Sequence, residues 1–310
     1  MRVYQTTLTL RSFSATPWQA DTIFGHLCWF IAHREGAEAL RLFLNRYKLS
    51  RGDGDPPILL SDGFPTGHLP RPIIIGQWPG GNLSKSERIN AQREVKESYQ
   101  SPWLTLKQFN QWRRGEPIGR PEPGAVAEEP IHLHTTTRNW VNRLTDTAGD
   151  PFDMSEIILP GVTIYWRIED ESVSLVKDFL DDLKESGYGK RKSIGYGQVE
   201  SFTPPEEFTG FDGVEGANGF VTLSRFVPAL DDPTDGFWNA VVKYGRLGEE
   251  FATDRRVFKK PLVQLECGSW FRDPEPREWY GQLISGISWR EEVKQYAFAF
   301  PLPIRVPAEP

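Results

Sequence analysis

An α+β fold is predicted by three observations. Residues 161–202 read strand, helix, glycine-rich loop, strand; the chain opens on another strand followed by a helix; and 25 prolines with 28 glycines in 310 residues point to long loops between short elements. Strand, helix, loop and strand in that order make half of a βαββαβ unit. Strand-first halves at both ends of the chain suit two ferredoxin-like (RRM-like) βαββαβ domains with long loop insertions. The length accommodates two ordinary cores, expected at 1–205, with the glycine-rich loop, and at 206–310, with segments that can interleave.

Each element has its own signal. Residues 3–10 are rich in β-branched side chains and read as a strand. Thr16-Pro17 make a good N-cap and first-turn pair for a helix in which Ile23, Phe24, Leu27, Phe30 and Ile31 recur at helical spacing. A second helix follows through Leu40, Phe43, Leu44 and Tyr47. Residues 50–82 are dense in proline and glycine, with Leu59-Leu60 and Ile73-Ile74-Ile75 as short strands, and Gly52-Asp53-Gly54-Asp55 running into Pro56-Pro57 reads as a loop. Residues 84–97 favour a helix; Trp103, Leu104, Phe109 and Trp112 form an amphipathic stretch; residues 115–130 are a Pro/Glu-rich loop. In 161–168, Val162, Ile164, Trp166 and Ile168 alternate onto one strand face. A helix beginning near Ser172 buries Val173, Val176, Phe179, Leu180 and Leu183, turns Asp178, Asp181 and Asp182 to solvent, and stops at Gly187 in the C′ position. Residues 199–202, 220–226, 262–265 and 296–300 complete the strands.

Composition narrows the function. A net charge of −6 and a pI near 5.5 argue against a general polyanion-binding surface, so a nucleic-acid site has to be a local basic patch. Cys28 and Cys267 are far apart in apolar surroundings, which disfavours a disulfide framework or a cysteine zinc site. No run of about 18 apolar residues occurs and no apolar signal core follows Met1, so a cytoplasmic protein without membrane contact is expected.

The local patch is Gly187-Tyr188-Gly189-Lys190-Arg191-Lys192-Ser193-Ile194-Gly195-Tyr196-Gly197, with four glycines, three consecutive cations and two tyrosines. Exposed amides and cations attract phosphate, glycine permits close approach, and the rings between the glycines can stack on bases. No Gly-x-x-x-x-Gly-Lys-Ser/Thr occurs and the loop opens no helix, which disfavours a P-loop. Extended single-stranded RNA fits better: three phosphate contacts give a log-log salt slope of about −2, enough to contribute but not to bind alone. Gly189, Lys190, Arg191, Lys192, Ser193, Gly195, Tyr196 and Gly197 are the candidate contacts. A flexible hairpin is the plain alternative.

Other segments can share the load. Thr16, Gln19, Asp21, Thr22, Gly25 and His26 put polar groups at a helix N-terminus where free amides meet phosphate; a capped core helix with a buried histidine is the competing reading. His132 and His134 share a strand face without an evident third metal ligand, and His134, Thr135, Thr136 and Arg138 suit phosphate and ribose contacts. They also suit a metal-free ribonuclease site in which Arg138 stabilises the phosphorane. Arg255-Arg256 with Lys259 and Lys260 form a second basic patch near Tyr244 and Gly245.

In order and spacing, several segments together carry a family resemblance. They are residues 16–29 with Gly25-His26-Leu27-Cys28-Trp29, Ser61-Asp62-Gly63-Phe64-Pro65, Leu69-Pro70-Arg71-Pro72, His134 to Arg138, the loop at 190–197, Phe258-Lys259-Lys260-Pro261-Leu262, Gly268-Ser269, Tyr296-Ala297-Phe298 and Phe300-Pro301-Leu302-Pro303. Over nearly its full length the chain resembles the RAMP proteins of CRISPR systems, most closely the fourth Csm subunit of type III-A effector (Csm) complexes. Alanine at 297 and 299, where glycine is commoner, is a departure. The resemblance implies two ferredoxin-like domains and an antiviral-defence subunit with no catalytic residues, metal or cofactor. Such a subunit holds the 5′ repeat-derived handle of crRNA and bridges the large polymerase/cyclase subunit to the backbone RAMP subunits, with target RNA near the handle. Other relatives are precursor-crRNA processing endoribonucleases, so a metal-independent nuclease at His134 is the alternative.

Overall fold

In a computed structural model, the described residues are 1–47, 56–73, 101–116, 118 and 130–306. The expected strand at 73–75 beyond Ile73, the helix at 84–97, the 52–55 loop and nearly all of the 115–130 loop lie outside them.

The first strand, β1 (Arg2–Leu10), alternates so that Tyr4, Thr6 and Leu8 point into the core. It leads to α1 (Ala20–Glu35), α2 (Ala37–Arg46) and β2 (Ile58–Leu60). A short helix, α3 (Leu106–Arg113), starts at a Thr105/Gln108 capping box. Next come β3 (His132–Arg138) and β4 (Phe152–Ile158), paired antiparallel as a long hairpin. Then β5 (Gly161–Ile168), α4 (Val173–Ser186) and β6 (Val199–Phe202) follow. The sheet order is β6-β1-β5-β2 with antiparallel neighbours. In chain order that is fourth, first, third and second strand, the arrangement of a βαββαβ unit.

The helices behave as their patterns require. Val176, Phe179, Leu180 and Leu183 are buried on α4, and the Gly187 N–H closes on Leu183 O in a left-handed C-terminal cap. On α1, Ile23, Phe24, Leu27, Phe30 and Ile31 are buried, but the helix begins at Ala20, later than the Thr16-Pro17 signal. Thr16 and Pro17 are engaged elsewhere: the Thr16 hydroxyl accepts from Lys190 N at 2.9 Å and Pro17 O accepts from the Tyr188 hydroxyl at 2.8 Å. The first helical amide, on Ala20, is instead capped from a distance by Asp62 Oδ1 at 2.8 Å.

The C-terminal third is all strand apart from the 3-10 helix Glu249–Thr253, so residues 206–306 lack the α-helices of a second βαββαβ unit. Besides Glu206–Glu207, which pairs with β1 in the first sheet, its strands are β7 (Gly219–Thr222), β8 (Gly236–Phe237), β9 (Ala240–Lys243), β10 (Leu262–Leu265), β11 (Trp270–Arg272), β12 (Tyr280–Ile284), β13 (Gln295–Ala299) and β14 (Pro301–Ile304). They form one four-stranded sheet, β8-β11-β7-β14, and two hairpins, β9-β10 and β12-β13. The strand expected at 220–226 stops at Thr222, whose hydroxyl turns onto the Ser224 N–H and C=O.

This third packs into the first sheet. β5 is buried on both faces and not only on the alternating one. Tyr165 meets Phe208 and Phe211, while the Arg167 guanidinium lies over Phe300 and donates to Pro301 O at 2.9 Å. Tyr296 and Phe298 share one hydrophobic cluster with Ile23, Phe24 and Leu59, and the Tyr296 hydroxyl accepts from Leu60 N at 2.9 Å. Residues on both sides of position 205 therefore build one core. Among the described residues no helix is long and apolar enough to cross a membrane.

Candidate nucleic-acid interface

The glycine-rich loop is fastened along its base. Tyr188 N donates to Gly197 O at 2.9 Å and Gly197 N to Phe13 O at 2.8 Å, closing the loop on itself and on the segment before α1. At Gly197, with φ +62°, an added Cβ would lie 2.0 Å from Tyr188 O, so only glycine fits. Gly189, also left-handed, donates its N–H to His26 Nε2 at 3.1 Å. His26 therefore accepts through Nε2 as a neutral ring. Burial, and after it the Lys192 charge, push its pKa from 6.5 down to about 4.

Both tyrosines point inward, which corrects the expectation that they stack on bases. Tyr188 is 1% exposed and stacks on Trp18 at 3.8 Å between centroids. Tyr196 is also buried, its hydroxyl donating to Glu156 and accepting from Arg138 Nη2 at 2.9 Å. The apolar side chain the loop presents to solvent is Ile194.

The loop thus meets the β3-β4 hairpin through Glu156, a residue the sequence reading missed. Its side chain is only 3% exposed and lies opposite His134 in register. It accepts from Thr136 Oγ1 at 3.0 Å, and His134 Nδ1 lies 3.2 Å away. Tyr196 above all, with His134 and Thr136, holds the carboxyl below its ordinary range against the opposing effect of burial. His134, Thr136 and Arg138 therefore act together on the loop side of the hairpin. Thr135, on the opposite face by strand alternation, stays exposed and apart. His132 joins no metal site: among the described residues no group of three or more His, Cys, Asp or Glu could hold an ion.

The three cations differ. Lys190, Arg191 and Ser193 are exposed, and among the described residues neither Lys190 nor Arg191 has an ion-pair partner. Lys192 is paired with Glu249 at the start of the 3-10 helix. Gly195 has open space where a side chain would project.

Beside the loop, the start of α1 is already occupied by protein groups. Asp62 takes the Ala20 amide, and Gln19 O takes those of Thr22 and Ile23, so these amides are not free for phosphate. Lys243, also missed from sequence, bonds Gln19 Oε1 at 2.7 Å, Thr22 Oγ1 at 3.2 Å and the buried Asp21 carboxylate. Gln295 bridges Asp21 Oδ2, at 2.5 Å, to Lys259 Nζ, at 2.8 Å. Lys259 is thus drawn inward, its pKa lowered by burial, while Lys260 stays exposed. Over Gly25, one helical turn beyond Asp21, the surface is open. The start of α1 thus touches the loop through His26, which accepts from Gly189, and β9 through Thr22, which bonds Lys243; Tyr244, next to Lys243, is 73% exposed.

Among solved structures, the chain matches along 99% of its length the whole of a chain in the crystal structure of the Csm1-Csm4 cassette in complex with AMPPNP, with a TM-score of 0.62 and 20% identity. The cassette in complex with pppApApA gives 0.61 and 19% at the same coverage. A chain of the Csm3-Csm4 subcomplex in the type III-A CRISPR-Cas interference complex is also covered whole, by 98% of this chain, at 0.63 and 12%. The component common to these assemblies is Csm4. The chain has the Csm4 fold. At these identities the likeness is one of fold, and it spans the full length of the Csm4-fold chains. No family model and no curated protein matches the sequence.

Proposed function

We propose that this chain is a non-catalytic, RNA-binding structural subunit of a type III-A CRISPR interference complex, holding the 5′ repeat-derived handle of crRNA. In that role it bridges the large polymerase/cyclase subunit and the backbone RAMP subunits. The observation that carries this reading is the full-length match to Csm4-fold chains found in assemblies with Csm1 and with Csm3, combined with two unpaired cations on a rigidly fastened loop. An acidic chain with a small basic loop makes most sense where neighbouring subunits supply the rest of the affinity.

In this reading Lys190 and Arg191 contact phosphates, the open surface over Gly25 admits the backbone, and the exposed Lys260 and Arg138 add cations. Replacing Lys190 and Arg191 together by alanine lowers guide retention in the purified complex and flattens the log-log salt dependence by about 1.4. Unchanged retention contradicts the reading. Incubated alone with repeat RNA, the chain leaves it intact; metal-independent cleavage lost on His134→Ala would establish a processing ribonuclease instead.

A further inference from the structure

The Lys192–Glu249 pair joins residues 57 positions apart, and each side chain is 26% exposed, so solvent screens it only in part. Of the three non-glycine residues with positive φ among the described residues, two bear on it: Glu249 itself at φ +49° and Arg191, next to Lys192, at φ +63°. Each such residue costs on the order of 1 kcal/mol, so the fold holds both charges in place at some expense.

The 3-10 helix does not depend on Glu249 for its anchorage. Phe251 packs edge-on against Trp29 at 4.9 Å between centroids, and the Arg290 guanidinium lies 4.1 Å from the Phe251 ring while bonding Asp254 at 2.7 Å. Glu250 adds a contact to His33 at 3.6 Å. The Glu249 carboxylate is thus a separate feature, aimed at the cation of the triplet that is ion-paired among the described residues. A carboxylate and a phosphate oxygen accept the same charge-assisted hydrogen bonds from an ammonium.

We propose that Glu249 is a built-in competitor for RNA phosphate at Lys192, limiting the affinity of the glycine-rich loop for single-stranded RNA. The inference rests on the RNA-binding reading above. RNA entering the loop exchanges a carboxylate for a phosphate at Lys192 and leaves Glu249 to be neutralised by a solvent cation.

The test is fluorescence anisotropy of the assembled complex containing this chain with a 5′-labelled single-stranded RNA that carries the handle, over a salt series. Glu249→Gln keeps the shape of the side chain, and Glu249→Asn suits the left-handed backbone; both bind about threefold to fivefold tighter, with a salt slope steeper by about 0.7. In a Lys192→Ala background neither substitution gains anything. Unchanged or weaker binding by both variants overturns the proposal, as does an equal gain without Lys192, which would reflect only the loss of one negative charge. Wild-type binding with unresponsive Glu249 variants overturns this inference alone, whereas a complex that binds the RNA equally well with Lys190, Arg191 and Lys192 all changed to alanine overturns the RNA-binding reading as well.

Discussion

His26 is neutral in the fold because its Nε2 accepts the Gly189 N–H and its half-buried ring lies against Tyr188. With a folded pKa of about 4 against 6.5 unfolded, the unfolded chain binds more protons between those values. The contribution is therefore complete above pH 6.5 and declines as pH falls toward 4, by about 3 kcal/mol in all. Urea unfolding at pH 7.5, 6 and 5 reads this loss, and His26→Gln, which cannot titrate, flattens it. Glu156 has the same sign in a lower window: its depressed carboxyl stabilises the fold above about pH 4.5 and the effect is lost as pH falls through the folded value. Glu156→Ala releases Tyr196, His134 and Thr136 together, so hydrogen exchange rises in both 132–138 and 196–197. The two residues differ in how far the sequence revealed them. His26 was identified with its buried alternative stated, whereas Glu156 gave no signal because its meaning depends on the register that places it opposite His134.

Glycines of the loop separate into two kinds at the scale of the element. Gly197→Ala drives a Cβ to 2.0 Å from Tyr188 O and disrupts the closure of the loop, lowering stability by about 3 kcal/mol or more. Gly195→Ala, at φ +93° in open space, costs about 1 kcal/mol through backbone strain alone. Thermal melts of the two variants measure the difference. α4 and its glycine stop were legible because a 3.6-residue stripe and a C-terminal glycine are local signals. The start of α1 was not, since Thr16 is engaged by Lys190 and the cap comes from Asp62, 42 residues away. The tyrosines misled for a related reason: composition marks a ring as available, and only the tertiary fold shows Tyr188 stacked on Trp18.

Across the whole molecule, the first βαββαβ unit was readable from strand and helix order. In the C-terminal third the strands near 220–222, 262–265 and 296–299 were readable, but not their arrangement or the lack of α-helices, because these short strands are held by distant partners such as Leu60 and Arg167. The large core shared by both parts, with the smaller cluster of Phe220, Phe226, Phe271, Tyr280 and Ala299 in the C-terminal third, predicts a single cooperative unfolding transition, with Phe298→Ala destabilising by about 3–5 kcal/mol and residues 1–205 alone failing to fold. Two separate transitions by calorimetry would show independent cores. The central claim concerns RNA, and the most direct measurement places a photoreactive nucleotide at the 5′ end of the guide in the assembled complex and maps its crosslinks. Crosslinks within residues 187–197 are the predicted result; a retained guide whose 5′ end crosslinks elsewhere and never to that loop would contradict it.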